Sequence, residues 1–154
     1  MRGDAFWAWK SFLRGHHPIL MDFGQIDGLG PAATPSPGAP PYEAFEAARY
    51  AMGDTLRYAE EMDLLSVLPR GDLASTGYVL ANPGQEYLVL QPAATAEPFT
   101  VMLAAGDYTG EWYDVNSRRT SPAEPVKVAK DEEREFHTPF GEAGPAVLYL
   151  KRSN

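Results

Sequence analysis

Apolar residues keep two different rhythms along the chain, and the change comes near Ser66. Before it they recur at helical spacing, and after it they alternate as in strands. Asp4 as N-cap and Gly15 as a stop frame a helix over residues 5–14. Phe6, Trp9 and Leu13 make its apolar face, with Trp7 and Phe12 outside that stripe. His16-His17-Pro18 breaks the helix. The unbroken apolar run Ile19-Leu20-Met21, ending at Asp22-Phe23, predicts a short strand buried on both faces, as in parallel sheets. Residues 24–41 predict a loop, since nine of these 18 residues are Gly or Pro. Residues 42–63 predict the clearest helix, with Phe45, Ala48, Met52, Leu56, Ala59 and Met62 at three- and four-residue steps. Pro41 suits its first turn, and Glu43 and Glu46 suit the positive end of its dipole. Helix, strand, loop and helix amount to one and a half βα units, too little to cover both faces of a parallel strand.

Beyond Ser66 the pattern is that of strands. Residues 76–81 and 86–91 flank Asn82-Pro83-Gly84-Gln85, whose Pro and Gly occupy the type II turn positions, so a hairpin is predicted. Residues 99–103 alternate, Gly106-Asp107 is a turn, and residues 108–115 form a strand with Trp112 and Tyr113 on opposite faces. Residues 116–120 read as a polar turn carrying Arg118-Arg119. Residues 126–129, 135–138 and 146–151 are further strands, with Asp131-Glu132-Glu133-Arg134 as a solvated connection. Strands at this spacing predict an antiparallel sandwich. The expected fold class is therefore α+β: a terminal βα unit over residues 1–65, then an antiparallel β-sandwich over residues 66–154.

Composition narrows the function classes. Fourteen glycines and fourteen prolines in 154 residues suit short strands and many turns. The formal charge of −8, with no basic stripe, argues against nucleic acid as a partner. No cysteine is present, which removes disulfides and thiolate chemistry. No apolar run is long enough for a signal peptide or a membrane span, so no membrane partner is expected. The chain opens inside a helix-forming segment, which is the pattern expected of a fragment. The aromatic surface of Phe6, Trp7 and Trp9 on one short helix predicts an apolar patch capable of self-association.

Several stretches together resemble a known arrangement. They are Trp9-Lys10-Ser11-Phe12-Leu13-Arg14-Gly15, Pro18-Ile19-Leu20-Met21-Asp22, and Ala51-Met52-Gly53-Asp54-Thr55. Longer is Pro69-Arg70-Gly71-Asp72-Leu73-Ala74-Ser75-Thr76-Gly77-Tyr78, continuing through Ala81-Asn82-Pro83-Gly84 to Glu86-Tyr87-Leu88-Val89, with Ala146-Val147-Leu148-Tyr149-Leu150 at the end. The whole is similar to the C-terminal end of apiosidase-like glycoside hydrolases. Their catalytic part is a (β/α)8 barrel of TIM type, and their appended sandwich belongs to a family named for collagen binding by a collagenase. The resemblance implies that the first helix is the seventh barrel helix, that residues 18–21 are the eighth strand, and that residues 42–63 are the eighth helix. It implies carbohydrate as the ligand of the intact parent, a secreted or periplasmic setting, and catalytic acids on earlier strands that this chain lacks. No catalytic residue is carried over.

The remaining chemistry is sparse. Barrel enzymes place functional groups at strand C-termini, which makes Asp22 and Phe23 candidates for lining a sugar site. Glycoside hydrolysis needs two carboxylates on opposite sides of the scissile bond, and one loop holding Asp22 and Asp27 does not readily supply both. His16 and His17 point to opposite sides of an extended segment, a poor chelate, so no metal is expected. Gly24-Gln25-Ile26-Asp27-Gly28-Leu29-Gly30 lacks the lysine and spacing of a phosphate loop, and no cofactor is expected. Trp112 and Tyr113 are binding-surface candidates, because an exposed aromatic on a sandwich can stack on a sugar or a peptide; their alternative role is core packing. Three readings stay open: the end of a glycoside hydrolase-like protein whose sandwich braces the barrel, a non-catalytic module binding polysaccharide or a fibrous, collagen-like protein, and a purely structural domain.

Overall fold

A computed structural model describes residues 4–20, 42–93, 97–141 and 144–153. Helix α1 spans Ala5–Leu13 and begins where the sequence predicts, with the Asp4 carboxylate accepting from the Trp7 N–H at 2.7 Å. It ends at Gly15, whose φ of 73° suits a residue without a Cβ and whose N–H reaches the Phe12 carbonyl at 2.9 Å. Helix α2 spans Glu46–Glu61, entered through a 3-10 turn over Tyr42–Phe45. Residues 16–20 carry no strand, and Ile19 is exposed. The expected parallel strand therefore fails over its described part: no described strand pairs with it, and Ile19 is left open to solvent. Met21, Asp22, Phe23 and the segment 24–41, predicted as a loop, lie outside the described residues.

The β part has nine strands among the described residues: β1 Leu68–Pro69, β2 Val79–Asn82, β3 Glu86–Gln91, β4 Phe99–Leu103, β5 Gly106–Asp114, β6 Arg119–Pro122, β7 Val126–Val128, β8 Glu132–Phe136 and β9 Ala146–Arg152. The larger sheet runs β1-β2-β3-β9-β5-β6, with β7 also paired to β5, while β4 and β8 form a two-stranded sheet. Every pair between these strands is antiparallel. The predicted hairpin is β2–β3, registered Asn82 to Glu86, with Gln85 N–H bonded to the Asn82 carbonyl at 2.9 Å and Gly84 at φ 84°. Gly110 lets β5 approach β9 closely, since a Cβ there would fall 1.8 Å from the Tyr149 carbonyl oxygen.

Alternation along the large sheet serves two cores. One face presents Leu80, Leu88, Leu90, Tyr113, Val147 and Tyr149 to the helices. The other presents Val79, Tyr87, Val89, Tyr108, Trp112 and Leu148 to Phe99, Val101 and Leu103 of β4. That is why β3 is buried along its whole length: both of its faces are covered. The helix-side core crosses the junction at Leu65 and Ser66, joining Trp9 and Tyr58 to the sheet. The result is a mixed α/β fold, mostly antiparallel sheet with two helices.

Several expectations are corrected by packing. Helix α2 buries Ala48, Ala51, Thr55 and Tyr58, with Met62 buried just past its end, whereas Leu56 of the predicted stripe is exposed. The helix is turned so that Tyr58 meets Trp9, Tyr113 and Tyr149 edge-on, with ring centroids 5.6–6.1 Å apart. The polar turn is shorter than predicted, because Arg119 already starts β6. The acidic segment at 131–134 is mostly strand: β8 pairs with β4, where backbone hydrogen bonding overrides the polar side chains of an edge strand. Among the described residues no helix is long and apolar enough to cross a membrane.

Candidate functional site

Polar groups gather in two places: along the seam between helices and sheet, and in a cleft on the far side of the sheet. At the seam, the turn after β5 is built by Asp114, whose carboxylate accepts from Asn116 N–H (2.8 Å), Ser117 N–H (3.1 Å) and the Ser117 hydroxyl (2.7 Å). Burial works to raise the Asp114 pKa, but these bonds and the nearby Arg119 charge outweigh it and hold the carboxyl below its usual value. The turn delivers Arg118 at φ 57°, a conformation that costs a residue with a Cβ. Its guanidinium reaches back to α2, bidentate on Asp54 at 3.0 and 2.9 Å and 4.3 Å from the Tyr50 ring centroid. The Asp54 carboxylate raises the Arg118 pKa further. Tyr113 beside this pair has its pKa raised, first by burial and then by Asp54; its hydroxyl makes no hydrogen bond of normal geometry among the described residues.

Three further ties follow along the same face. Glu111 of β5 accepts from Arg57 and, at 2.7 Å, from the Tyr58 hydroxyl, while Arg57 also pairs with Glu61 at 3.1 Å. Glu86 is only 3% exposed, yet both its oxygens are engaged, by Asp63 N–H at 2.8 Å and the Tyr149 hydroxyl at 2.9 Å. Lys151 donates to the Glu61 carbonyl at 3.0 Å, satisfying a carbonyl in the last turn of α2. Desolvation pushes the Tyr58 and Tyr149 phenols well above their ordinary range, with Glu86 adding to the effect at Tyr149. These groups bond one another and hold two layers together.

The cleft lies where β7 of the large sheet and β8 of the small one face each other without pairing, and its volume is about 450 Å³. Trp112, Ala123, Pro125, Val126 and Phe136 form its apolar surfaces, and Glu124, Lys127, Arg134, Glu135 and His137 its polar ones. Phe99 stacks on Phe136 (6.0 Å, 29°) and meets Trp112 edge-on (5.9 Å, 83°). Arg134 donates to the Lys127 carbonyl at 3.0 Å and pairs with Glu132 at 2.8 Å; Glu135 pairs with His137 at 2.9 Å.

Among the sequence-derived candidates, Asp22 and Phe23 lie outside the described residues. Trp112 and Tyr113 do face opposite sides, but both are buried, at 5% and 2% exposure, one in each core. Neither is the exposed stacking platform expected of a binding surface, because each face of the sheet has its own cover; Trp112 borders the cleft but is 5% exposed. Trp9 is fully buried and cannot belong to an apolar surface patch, while Phe6 and Trp7 are half-buried. Phe136 and Arg134 were not singled out by sequence; the two-residue spacing of Glu132, Arg134 and Phe136 was the signal, masked by its charges. Among the described residues no three His, Cys, Asp or Glu side chains cluster to hold a metal ion.

No family model matches this chain. No curated protein matches it either. Solved structures do. One described as a glycoside hydrolase superposes with a TM-score of 0.65 at 14% identity, over 97% of this chain and 37% of its own. A glycoside hydrolase family 5 protein from Bacteroides vulgatus gives 0.56 at 11% identity, over 73% and 26%. The fold is glycoside hydrolase-like. At these identities the likeness concerns fold alone, and this chain spans about a third of the length of those proteins or less.

Proposed function

We propose that this chain is the C-terminal region of a glycoside hydrolase-like protein, in which the β layers brace the last helices of a (β/α)8 barrel. The barrel unit would comprise residues 1–65 and an accessory sandwich residues 66–154, with the sugar site of the parent built mostly by other strands. Carbohydrate would then be the parent's ligand, and apiosidase-like enzymes its nearest kind. The observation that supports this reading best is the shared core. Trp9, Tyr58, Tyr113 and Tyr149 interlock helices and sheet, and Arg118–Asp54 and Glu111–Arg57 tie the layers at the rim. Hydrolysis needs a carboxylate pair flanking a sugar bond. The seam carboxylates Asp54, Glu86 and Glu111 are instead committed to Arg118, to Tyr149 with Asp63, and to Arg57 with Tyr58.

The brace is tested by following unfolding with two probes, helical circular dichroism and tryptophan fluorescence. Coincident transitions are expected. Helices that melt well before the sheet would sink the bracing role. The parent is tested by reading the transcript upstream of Met1, where an in-frame barrel-coding segment is expected; a stop codon directly upstream would contradict it. The purified chain should turn over no aryl glycoside, and specific turnover abolished by substitution of its own carboxylates would refute the proposal.

A further inference from the structure

We propose that the cleft between β7 and β8 binds a neutral sugar ring of an oligosaccharide, on the side of the sheet opposite the helices. Its volume of about 450 Å³ lies in the range of small-molecule sites. Its chemistry is divided in a particular way. The apolar part is aromatic: Phe136 is backed by Phe99, which itself meets Trp112 edge-on, so the ring is seated against the core. An aromatic face is electron-rich and favours the slightly positive C–H face of a pyranose or furanose. The charged groups around it are already paired: Arg134 with Glu132 at 2.8 Å, Lys127 with Asp107 at 3.8 Å, and Glu135 with His137 at 2.9 Å. That pairing gives no net attraction to an ionic ligand, whereas sugar hydroxyls both donate and accept and can use both signs.

Pre-organisation points the same way. Arg134 is already fixed across the gap by the Lys127 carbonyl and Glu132, and Glu135 by His137. A guanidinium has five N–H donors, and these two contacts leave others for a ligand. Polar groups ordered before binding lose less conformational entropy when it occurs. An inserted peptide strand is the rival occupant, since β7 and β8 each have an edge here that pairs with no strand among the described residues. Arg134 already occupies the Lys127 carbonyl on that edge, and the charged β8 side chains disfavour strand addition.

The test uses the whole chain and the indole N–H resonances of its three tryptophans, assigned by single Trp→Phe changes. Cellohexaose, xylohexaose and mannohexaose are the neutral probes, and hexagalacturonate the charged one. At least one neutral hexaose should shift the Trp112 resonance saturably at about millimolar concentration, with those of Trp7 and Trp9 unmoved. Hexagalacturonate should bind about tenfold more weakly, and Arg134→Met should weaken the neutral sugar by about tenfold with the melting temperature little changed. Phe136→Ala should abolish binding, but it also thins the core, so Arg134→Met is the deciding variant. No Trp112 shift at about 10 mM of all three neutral sugars, tighter binding of hexagalacturonate, or undiminished binding in Arg134→Met would each overturn the proposal. The brace is read from unfolding without sugar, so either idea can fail while the other stands.

Discussion

Trp7 and Trp9 lie on the same short helix, yet truncating them should have very different consequences. Trp9 is fully buried, its ring centroid 5.6 Å from that of Tyr58 and 5.5 Å from that of Tyr113, whereas Trp7 is only half-buried. A large aromatic buries roughly 150–250 Å², which at about 25 cal/mol per Å² is about 4–6 kcal/mol of transfer free energy. Measured core truncations of this kind cost about 3–5 kcal/mol, because neighbours relax only in part. Trp9→Ala should therefore lose about 4 kcal/mol, and Trp7→Ala only about 1 kcal/mol. For a chain of this size, about 4 kcal/mol lowers the melting temperature by roughly 8–16 °C. Equilibrium urea unfolding followed by far-ultraviolet circular dichroism measures both, and an unchanged slope with denaturant certifies the comparison. Equal losses for the two variants, within about 0.5 kcal/mol, would refute the seating of α1 on the sheet through Trp9.

Three other outcomes follow from single features. Gly110→Ala should cost about 3 kcal/mol or more by urea unfolding, since the new Cβ meets backbone of β9 that cannot swing aside. At Arg118, with its φ of 57°, replacement by Ala should be about 1 kcal/mol worse than replacement by Gly; both lose the Asp54 bridge, but only Gly is relieved of the backbone strain. Thermal melts of the two variants give the comparison, and equal stabilities would argue against a strained turn. The phenols of Tyr58 and Tyr149 have folded pKa values raised above the unfolded value near 10, so their contribution is intact below about pH 10 and declines as pH climbs beyond it. Phenolate absorbance during alkaline titration should show these tyrosines ionising only as the fold is lost, and early reversible ionisation of all eight would contradict that.

Much of the fold is legible from neighbouring residues. Asp4 and Gly15 bound α1, Pro83-Gly84 makes the β2–β3 turn, and residues 86–91 and 99–103 are strands as their alternation or apolar runs indicate. These features depend on backbone preferences and side-chain period, which a short segment carries within itself. The strand expected at residues 19–21 fails over its described part for the complementary reason: an apolar run forms a buried strand only if something covers it. The sites were far less legible. The cleft exists because β7 and β8, close in sequence, join different sheets, and nothing within residues 126–136 specifies that.

Local sequence thus determined the ends of α1, the β2–β3 turn and the strands at residues 86–91 and 99–103, and that Trp112 and Tyr113 must part to opposite faces. Tertiary structure alone decided that both faces are covered, that α2 turns Tyr58 rather than Leu56 inward, and that Arg118 meets Asp54 across 64 residues. The reason is physical. Periodicity says which side chains share a face, but the free energy of burial depends on what that face meets, and the partner is supplied by distant parts of the chain.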